Sequence, residues 1–221
     1  MKIKIPFMSR KILLIVSIAW MLVVWLAAIA CADEVAEVKY VIDGDTIILV
    51  NGRHVRYQGI DAPEIAHDNQ PADTFGEEAR IHNAKLVNGQ KIRLKFDETR
   101  QDHYGRTLAQ IFLLDGTWIN KAMVNAGLAY VCLYDKESPT AVSTFKELLS
   151  AQKEAISAKK GMWSVPPEKP ESFYVGNQKT MRLHRPDCPS VSQTAKSNKI
   201  VFKTRNDAFL QGFCPCKKCK P

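Results

Sequence analysis

The sequence of 221 residues lacks the compositional biases that mark non-globular proteins. Glycine and proline number only 11 each, which excludes a collagen-like chain. Hydrophobic residues make up 46% and charged residues 24%, so neither a disordered chain nor a coiled coil is indicated. No internal repeats are found. The length is sufficient for one full domain and a small module, but not for two large domains.

Acidic residues are absent from residues 1–31, which carry four basic ones. The formal net charge of +8 is therefore unevenly distributed: it is +4 in residues 1–31, −3 in residues 32–165 and +7 in residues 166–221. The basic character lies at the two ends of the chain, while the middle is slightly acidic. Net charge alone therefore does not predict that the whole protein binds nucleic acid.

The beginning of the chain has the pattern of a targeting segment. Four basic residues precede an uncharged apolar stretch from Ile12 to Ala30, which ends in small residues around Cys31. Three interpretations fit: a cleaved signal peptide, a lipoprotein signal with a lipid on Cys31, or an uncleaved membrane anchor. In each case residues 1–32 place the rest of the chain outside the cytoplasm. We expect a secreted or periplasmic protein, tethered to a membrane only if this segment or a lipid holds it there.

The middle of the chain alternates between strand and helix patterns. Turn signals at Asp43-Gly44 and Asn51-Gly52 separate short segments of alternating hydrophobicity within residues 38–61. Further strands are predicted at 91–96 and 107–114, and helices at 75–87, 118–125 and 143–160. This order predicts a small antiparallel barrel with helices packed on it. The proline-rich segment 165–172 is predicted to be a stiff linker between two domains.

Three short runs concentrate charged residues at the ends of the predicted strands: residues 43–46, 56–64 and 102–106. Carboxylates from different strand ends can converge on a hard cation such as Ca²⁺. Two flanking arginines can hold a phosphate, and a carboxylate free of the metal can activate water. Each run alone is as typical of a solvated turn as of a site. Together they provide the groups needed for metal-assisted phosphodiester hydrolysis.

Over about residues 36–164 the sequence resembles the staphylococcal nuclease (thermonuclease) family, with the motifs in the same order. The resemblance implies an OB-fold domain, a five-stranded barrel with three helices. It also implies a Ca²⁺-dependent endonuclease that hydrolyses the phosphodiester bonds of DNA and/or RNA, and we expect a monomer. The matching stretches are V-I-D-G-D-T (41–46), V-R-Y-Q-G-I-D-A-P-E (55–64), F-G-E-E-A (75–79), D-H-Y-G-R (102–106), N-K-A-M-V-N-A-G-L-A (120–129) and G-M-W-S (161–164).

The resemblance implies a Ca²⁺ site at matching positions. Asp45 and Asp61 match the carboxylates that bind the ion directly. Ala62 matches the residue that donates a main-chain carbonyl. Asp43 matches a carboxylate that reaches the ion through water.

The resemblance also implies catalytic residues. Glu64 matches the residue that activates the attacking water. Arg56 and Arg106 match the pair that grips the scissile phosphate, and Tyr104 matches a substrate contact on the nucleotide side.

The sequence departs from the family in the substrate-binding parts. The loop 65–74 lacks a lysine pair that the secreted staphylococcal enzyme carries. The aromatic residues that stack on the nucleotide are loosely matched by Tyr130 or Tyr134. The alternative function is therefore a surface protein that binds nucleic acid without cutting it.

The cysteines outside the targeting segment suggest a metal site. Cys132 lies in an apolar run and is predicted to be a small core residue. His184 and Cys188 form one close pair, and Cys216 and Cys219 another, 27 residues further on, as a tetrahedral zinc site requires. On this interpretation Cys214 is a spare thiol. The alternative is a disulfide between Cys188 and one of the last three cysteines, since exported proteins are oxidised.

Residues 173–221 resemble the zinc-binding domain of the Ada family. This implies a small α+β module that binds structural Zn²⁺ through His184, Cys188, Cys216 and Cys219. In that family the position of His184 is the methyl-accepting cysteine, so methyl transfer is not expected here. The module is basic, and it is predicted either to bind the phosphates of nucleic acid or merely to form a solvated surface; the residues concerned are Arg182, Arg185, Lys217, Lys218 and Lys220.

Overall fold

Five strands of the described part of the chain close into a barrel in the order β1-β2-β3-β6-β5. The structure is a computed structural model that describes residues 33–67 and 70–221, of which Val35–Pro221 form one compact unit. The predicted targeting segment, with Cys31, lies outside the described residues. The strands are β1 (Glu34–Val41), β2 (Thr46–Leu49), β3 (His54–Tyr57), β5 (Lys91–Lys95) and β6 (Thr107–Leu113).

The sequence predicted an antiparallel barrel, but one pair of its strands is parallel. β3 pairs with β6 in parallel, with Val55 opposite Thr107. Parallel neighbours need a long crossover, and the segment between these two strands supplies it. The segment holds the first helix and β5, together with a short strand β4 (Ile60–Asp61) that pairs with β7 (Tyr130–Val131).

Three α-helices of the described chain pack on the barrel: α1 (Gly76–Val87), α2 (Ile119–Asn125) and α3 (Pro139–Ser157). A 3₁₀ turn, Gly161–Ser164, follows. The helix α3 begins four residues earlier than predicted because Ser138 caps it, accepting a hydrogen bond from the Ala141 N–H, and a proline occupies the first turn. The predicted five-stranded barrel with three helices is thus confirmed.

The C-terminal module, residues 173–221, is α+β as predicted. Its four strands lie in the order β10-β8-β9-β11, and β11 runs parallel to β9. Two short helices and a 3₁₀ turn connect them. The elements are β8 (Tyr174–Asn177), β9 (Arg182–His184), α4 (Pro189–Ser192), the 3₁₀ turn Lys196–Asn198, β10 (Lys199–Phe202), α5 (Arg205–Phe209) and β11 (Cys214–Pro215).

The C-terminal module shares a hydrophobic core with the helical side of the barrel domain. Trp163 packs against Phe209, with ring centroids 5.5 Å apart. Gln152, fully buried in α3, joins the two parts by hydrogen bonds: its Nε2 donates to the Phe209 carbonyl at 2.7 Å and its Oε1 accepts from the Val131 N–H at 2.8 Å. The two parts are therefore packed together rather than merely linked.

A disulfide joins Cys132, just after β7, to Cys214 in β11, with Cα atoms 5.1 Å apart. Two predictions were therefore wrong: Cys132 is not a simple core residue, and Cys214 is not a spare thiol. The suggested pairing of Cys188 with a late cysteine is also wrong, since among the described residues Cys188, Cys216 and Cys219 are free. The observed pair could not be predicted from local patterns because its members lie 82 residues apart and in different domains.

Within residues 33–67 and 70–221, no helix is both long enough and apolar enough to cross a bilayer.

Candidate active site and metal centre

A tight turn between β1 and β2 carries the first pair of carboxylates. The Asp45 N–H donates to Oδ1 of Asp43 at 2.9 Å, which fixes the turn. Gly44, between them, lies against two other segments of the same chain. A Cβ at this position would lie 2.5 Å from the Cβ of Ala62 and 2.7 Å from that of Ala79. The absence of a side chain at Gly44 therefore lets the turn approach β4 and α1.

Asn83, in α1, holds the same turn from below and was not predicted from the sequence. It is fully buried, its Nδ2 donates to the Asp43 carbonyl at 3.0 Å, and its Oδ1 accepts from the Tyr57 hydroxyl at 2.8 Å. Burial raises the pKa of the Asp43 carboxyl, and attraction to Arg56 opposes this rise. The sequence does not mark such a buried asparagine, because its contacts depend on how two distant elements pack together.

Asp45 and Asp61 converge around one arginine. Asp45 is only 3% exposed and Asp61 only 2%. Arg56, from β3, pairs with Asp45 through Nη1 and places Nη2 2.6 Å from Oδ1 of Asp61. The Ala62 N–H donates to the second oxygen of Asp45 at 2.6 Å, which holds Ala62 against the pair. Two buried carboxylates and a neighbouring main-chain carbonyl are an all-oxygen donor set, and that set fits Ca²⁺.

Glu64 follows on the same loop, and its backbone is fixed on both sides. Its N–H donates to Oδ2 of Asp73 at 3.1 Å, and its carbonyl accepts from the Asp73 N–H at 2.9 Å. Gly76, at the start of α1, faces this carbonyl so closely that a Cβ there would lie 2.2 Å from the oxygen. The carboxylate of Glu64 is thereby held at the mouth of the site.

Arg106 lies just before β6 and is oriented by Asp102 rather than by the buried carboxylates. Its Nε donates to Oδ2 of Asp102 at 2.7 Å, and its N–H donates to Oδ1 at 3.0 Å. The guanidinium also stacks over the ring of Tyr104, 5.4 Å from the centroid. Tyr104 is 74% exposed, so its ring is free to meet a ligand.

Lys217 of the C-terminal module reaches into the same site. Its Nζ lies 2.9 Å from Oδ1 of Asp61 and 2.6 Å from Oε1 of Glu64. Burial lowers the pKa of its ammonium, but attraction to the two carboxylates outweighs this and raises it. Lys217 was predicted only as one of the basic residues that bind phosphates or form a solvated surface. The contact spans 153 residues of chain, so no local pattern predicts it.

One cleft of about 730 Å³ is lined by most of these groups and by both domains, whereas Asp61 and Ala62 line a neighbouring cleft. The ring of Tyr134 lies on its wall and carries Arg182 of the C-terminal module 5.2 Å from its centroid. Tyr130 instead packs in the core, 5.1 Å from Phe209. Of the two tyrosines considered as stacking residues, only Tyr134 therefore faces the cleft. The predicted site residues that line it are Asp43, Asp45, Arg56, Glu64, Tyr104 and Arg106.

The four predicted zinc ligands lie together in the C-terminal module. One donor atom from each of His184, Cys188, Cys216 and Cys219 lies within 4.8 Å of all the others. Within the described residues, Nδ1 of His184 is buried and makes no hydrogen bond. Burial and the neighbouring Arg182 lower the pKa of this imidazole, which favours the neutral form that metals bind. Three thiols and one unpartnered imidazole nitrogen fit Zn²⁺.

Two other basic side chains of the module are also paired with acids. Lys220 lies 2.5 Å from Asp73 of the barrel domain, and Arg185 lies 2.7 Å from Glu171. The basic surface of the module is thus directed in part toward the acidic barrel domain.

Comparison with known proteins shows which families the two domains resemble. The family model described as staphylococcal nuclease homologue matches residues 54–165, and the metal binding domain of Ada matches residues 166–221. The chain is 35% identical to the thermonuclease of Staphylococcus hyicus over 136 residues, which are 60% of this chain and 77% of that protein. It is 36% identical to the endonuclease YncB of Bacillus subtilis (strain 168) over 141 residues, 62% of each. An uncharacterized endonuclease of Escherichia coli is 34% identical over 146 residues, 63% of this chain and 86% of that protein. The chain therefore belongs to the staphylococcal nuclease homologue family, with an Ada-type metal-binding domain at its C-terminus.

Proposed function

We propose that the protein is an exported, Ca²⁺-dependent endonuclease that hydrolyses phosphodiester bonds of DNA and/or RNA. Its family makes the chain a nuclease, a hydrolase with a nucleic-acid substrate. The observation that carries the finer proposal is the meeting of Asp45 and Asp61 at Arg56, beside a cleft that Glu64 and Arg106 also line.

The Ca²⁺ ion would be held by the carboxylates of Asp45 and Asp61 and the carbonyl of Ala62, with Asp43 acting through water. When bound, it would supply positive charge that neutralises the phosphate and stabilises the transition state.

The protein's own residues would carry the proton transfer and the positioning. Glu64 would accept the proton of the attacking water, because its carboxylate lies at the mouth of the cleft and is not a proposed metal ligand. Arg56 and Arg106 would donate hydrogen bonds to the phosphate oxygens, whose charge grows during attack. Asp102 would hold Arg106 in place through two hydrogen bonds. Tyr104 and Tyr134 would contact the nucleotides on either side.

Export is supported by the disulfide between Cys132 and Cys214, since such bonds persist mainly in oxidising compartments. The apolar segment within residues 1–32 supports the same proposal from the sequence. A structural Zn²⁺ on His184, Cys188, Cys216 and Cys219 would fold the small C-terminal module, whose own core is limited.

The deciding experiment is cleavage of single-stranded DNA, double-stranded DNA and RNA by the protein lacking residues 1–32. We expect degradation with Ca²⁺ and none after addition of EGTA. The variants Glu64→Gln and Arg106→Ala should lose cleavage, while Glu78→Gln, an exposed glutamate on α1, should retain it. Binding without cleavage in every divalent cation tested would contradict the proposal and favour a binding protein.

A further inference from the structure

The acidic site is closed on one side by the C-terminal module, whose Lys217 forms ion pairs with Asp61 and Glu64. These are one proposed ligand of the Ca²⁺ ion and the proposed base. We propose that Lys217 is a displaceable counter-ion of the nuclease site: it occupies the space between Asp61 and Glu64, and a divalent cation must displace it to bind. This inference rests on the Ca²⁺ site proposed above.

The position of Lys217 is set by its neighbours along the chain. Three residues before Lys217, Cys214 is bonded to Cys132 of the barrel domain, and the Cys216 N–H donates to the Leu183 carbonyl at 2.9 Å. On the C-terminal side, Lys220 pairs with Asp73 at 2.5 Å. The backbone on both sides of Lys217 is therefore fixed against the barrel domain, so its side chain is delivered to the site by the fold.

A divalent cation would compete with Arg56 and Lys217, because both side chains contact the same oxygen of Asp61. Oδ1 of Asp61 accepts from Arg56 at 2.6 Å and from Lys217 at 2.9 Å. A divalent cation on this oxygen would repel both positive groups. The Arg56 side chain is only 12% exposed and extends from a barrel strand, whereas that of Lys217 is 48% exposed. Lys217 is therefore the group that can move into water at the lower cost.

Displacement would free two groups at once. While Lys217 donates to Glu64, that carboxylate is engaged by an ammonium instead of being available to a water molecule. Departure of the ammonium would free Asp61 to bind the ion and Glu64 to accept the proton of the attacking water. The C-terminal module would thus hold the site in an inactive state whenever the divalent cation is scarce.

Calorimetric titration of the purified protein with Ca²⁺ alone tests the proposal. In Lys217→Met, which keeps most of the side-chain length without the charge, we expect the Kd for Ca²⁺ to fall roughly two- to fivefold, the scale of one partly exposed ion pair. The gain should shrink at high salt, because exposed charges are screened. Lys218→Met is the matched control: this neighbour is exposed and forms no ion pair with the described residues, so the Kd should stay unchanged.

Chemical labelling supplies a readout that does not depend on a substitution. The Lys217 amine should react faster with acetic anhydride in the presence of Ca²⁺ than in its absence at equal ionic strength, as measured by mass spectrometry. The Lys218 amine in the same protein should react equally in both. An unchanged Kd in Lys217→Met together with unchanged labelling, in a protein that binds Ca²⁺ and cleaves, would overturn this inference alone. A protein that binds no Ca²⁺ would overturn the proposed function and this inference with it.

Discussion

At the scale of single residues, Gly44 is the position where space decides the geometry of the site. An added Cβ would meet Ala62 and Ala79 at 2.5 and 2.7 Å, and neither neighbour is a flexible side chain. We expect Gly44→Ala to move the turn that carries Asp43 and Asp45. The cost should be about 1–3 kcal/mol of the free energy of unfolding, together with a loss of Ca²⁺ affinity. Chemical denaturation and calorimetry measure the two effects.

Gly52→Ala provides the control for Gly44→Ala. Gly52 has φ +82° and nothing within 4 Å of the added Cβ. The left-handed backbone makes alanine there cost about 1–2 kcal/mol, but the turn lies away from the carboxylates. Equal loss of Ca²⁺ affinity in both variants would show that global stability, rather than the position of the acidic turn, is responsible.

Asp102 is expected to act through Arg106. Burial alone would raise the pKa of its carboxyl, but its two hydrogen bonds to that residue help to outweigh this and the pKa is lowered. The stabilisation is thus present above the ordinary pKa of aspartate and is lost as the pH falls through the lowered value in the folded protein. We expect Asp102→Asn to reduce kcat/KM by up to about 100-fold, since a misplaced phosphate-binding group costs that much. Steady-state kinetics measures it.

Asp115→Asn is the matched control, because this exposed aspartate also caps a turn, by accepting the Thr117 N–H at 2.8 Å. It should leave kcat/KM unchanged. If Asp102→Asn also leaves kcat/KM unchanged, Asp102 does not position Arg106 for catalysis.

The charged residues of the cleft could be predicted because they stand in short motifs at turns and strand ends. Asp43, Gly44 and Asp45 are consecutive in the sequence. Asp61 and Glu64 lie within a stretch of four residues. Asn83 and Lys217 could not be predicted in the same way. Their contacts with the site span 40 and 153 residues, and such contacts depend on how whole elements pack.

At the scale of elements, the bond between β11 and the residue after β7 should contribute much of the stability. The disulfide closes a loop of 82 residues, for which the loss of chain entropy in the unfolded state predicts up to about 4 kcal/mol. We expect Cys214→Ala to lower the free energy of unfolding by an amount approaching this value, as measured by urea denaturation without reductant.

The double variant of Cys132 and Cys214 tests the assignment of this effect. Since either substitution removes the same bond, the double variant should lose nearly the same stability as Cys214→Ala rather than twice as much. Additive losses would mean that the two cysteines do not form the bond in solution.

The elements themselves followed from local patterns more fully than their arrangement did. The helices at Gly76–Val87 and Ile119–Asn125 match their predicted bounds to within one residue. The parallel pairing of β3 with β6 was not expected, because a strand's sequence shows its buried face but not the direction of its neighbour.

At the scale of the whole molecule, metal in the C-terminal module should influence that module first. If Zn²⁺ is bound there, its removal by a chelator should increase amide hydrogen exchange in residues 173–221 more than in the barrel strands, because the proposed ligands His184, Cys188, Cys216 and Cys219 would tie distant parts of the module together. Mass spectrometry measures both the exchange and the metal content, for which we expect one Zn²⁺ per chain.

His184→Ala should reproduce the effect of the chelator, while His54→Ala, an exposed histidine in β3, should not. Full metal content in His184→Ala would contradict the assignment of this ligand.

The packing of the two domains against each other was the largest feature that the sequence did not indicate. The proline-rich segment had suggested a linker between separate bodies, whereas Trp163 and Phe209 share one core across it. Nothing in the spacing of a hydrophobic residue tells whether it faces its own domain or the next.

The disulfide has a consequence for how the protein would withstand proteolysis. Cys132 and Cys214 enclose α3, the proline-rich segment and most of the C-terminal module within one covalent ring. A protease that cuts the ring once, for example after the exposed Glu168, opens it without releasing a fragment. The cut protein should migrate as one band on a non-reducing gel and as two bands after reduction, and the two pieces would stay side by side at the cleft.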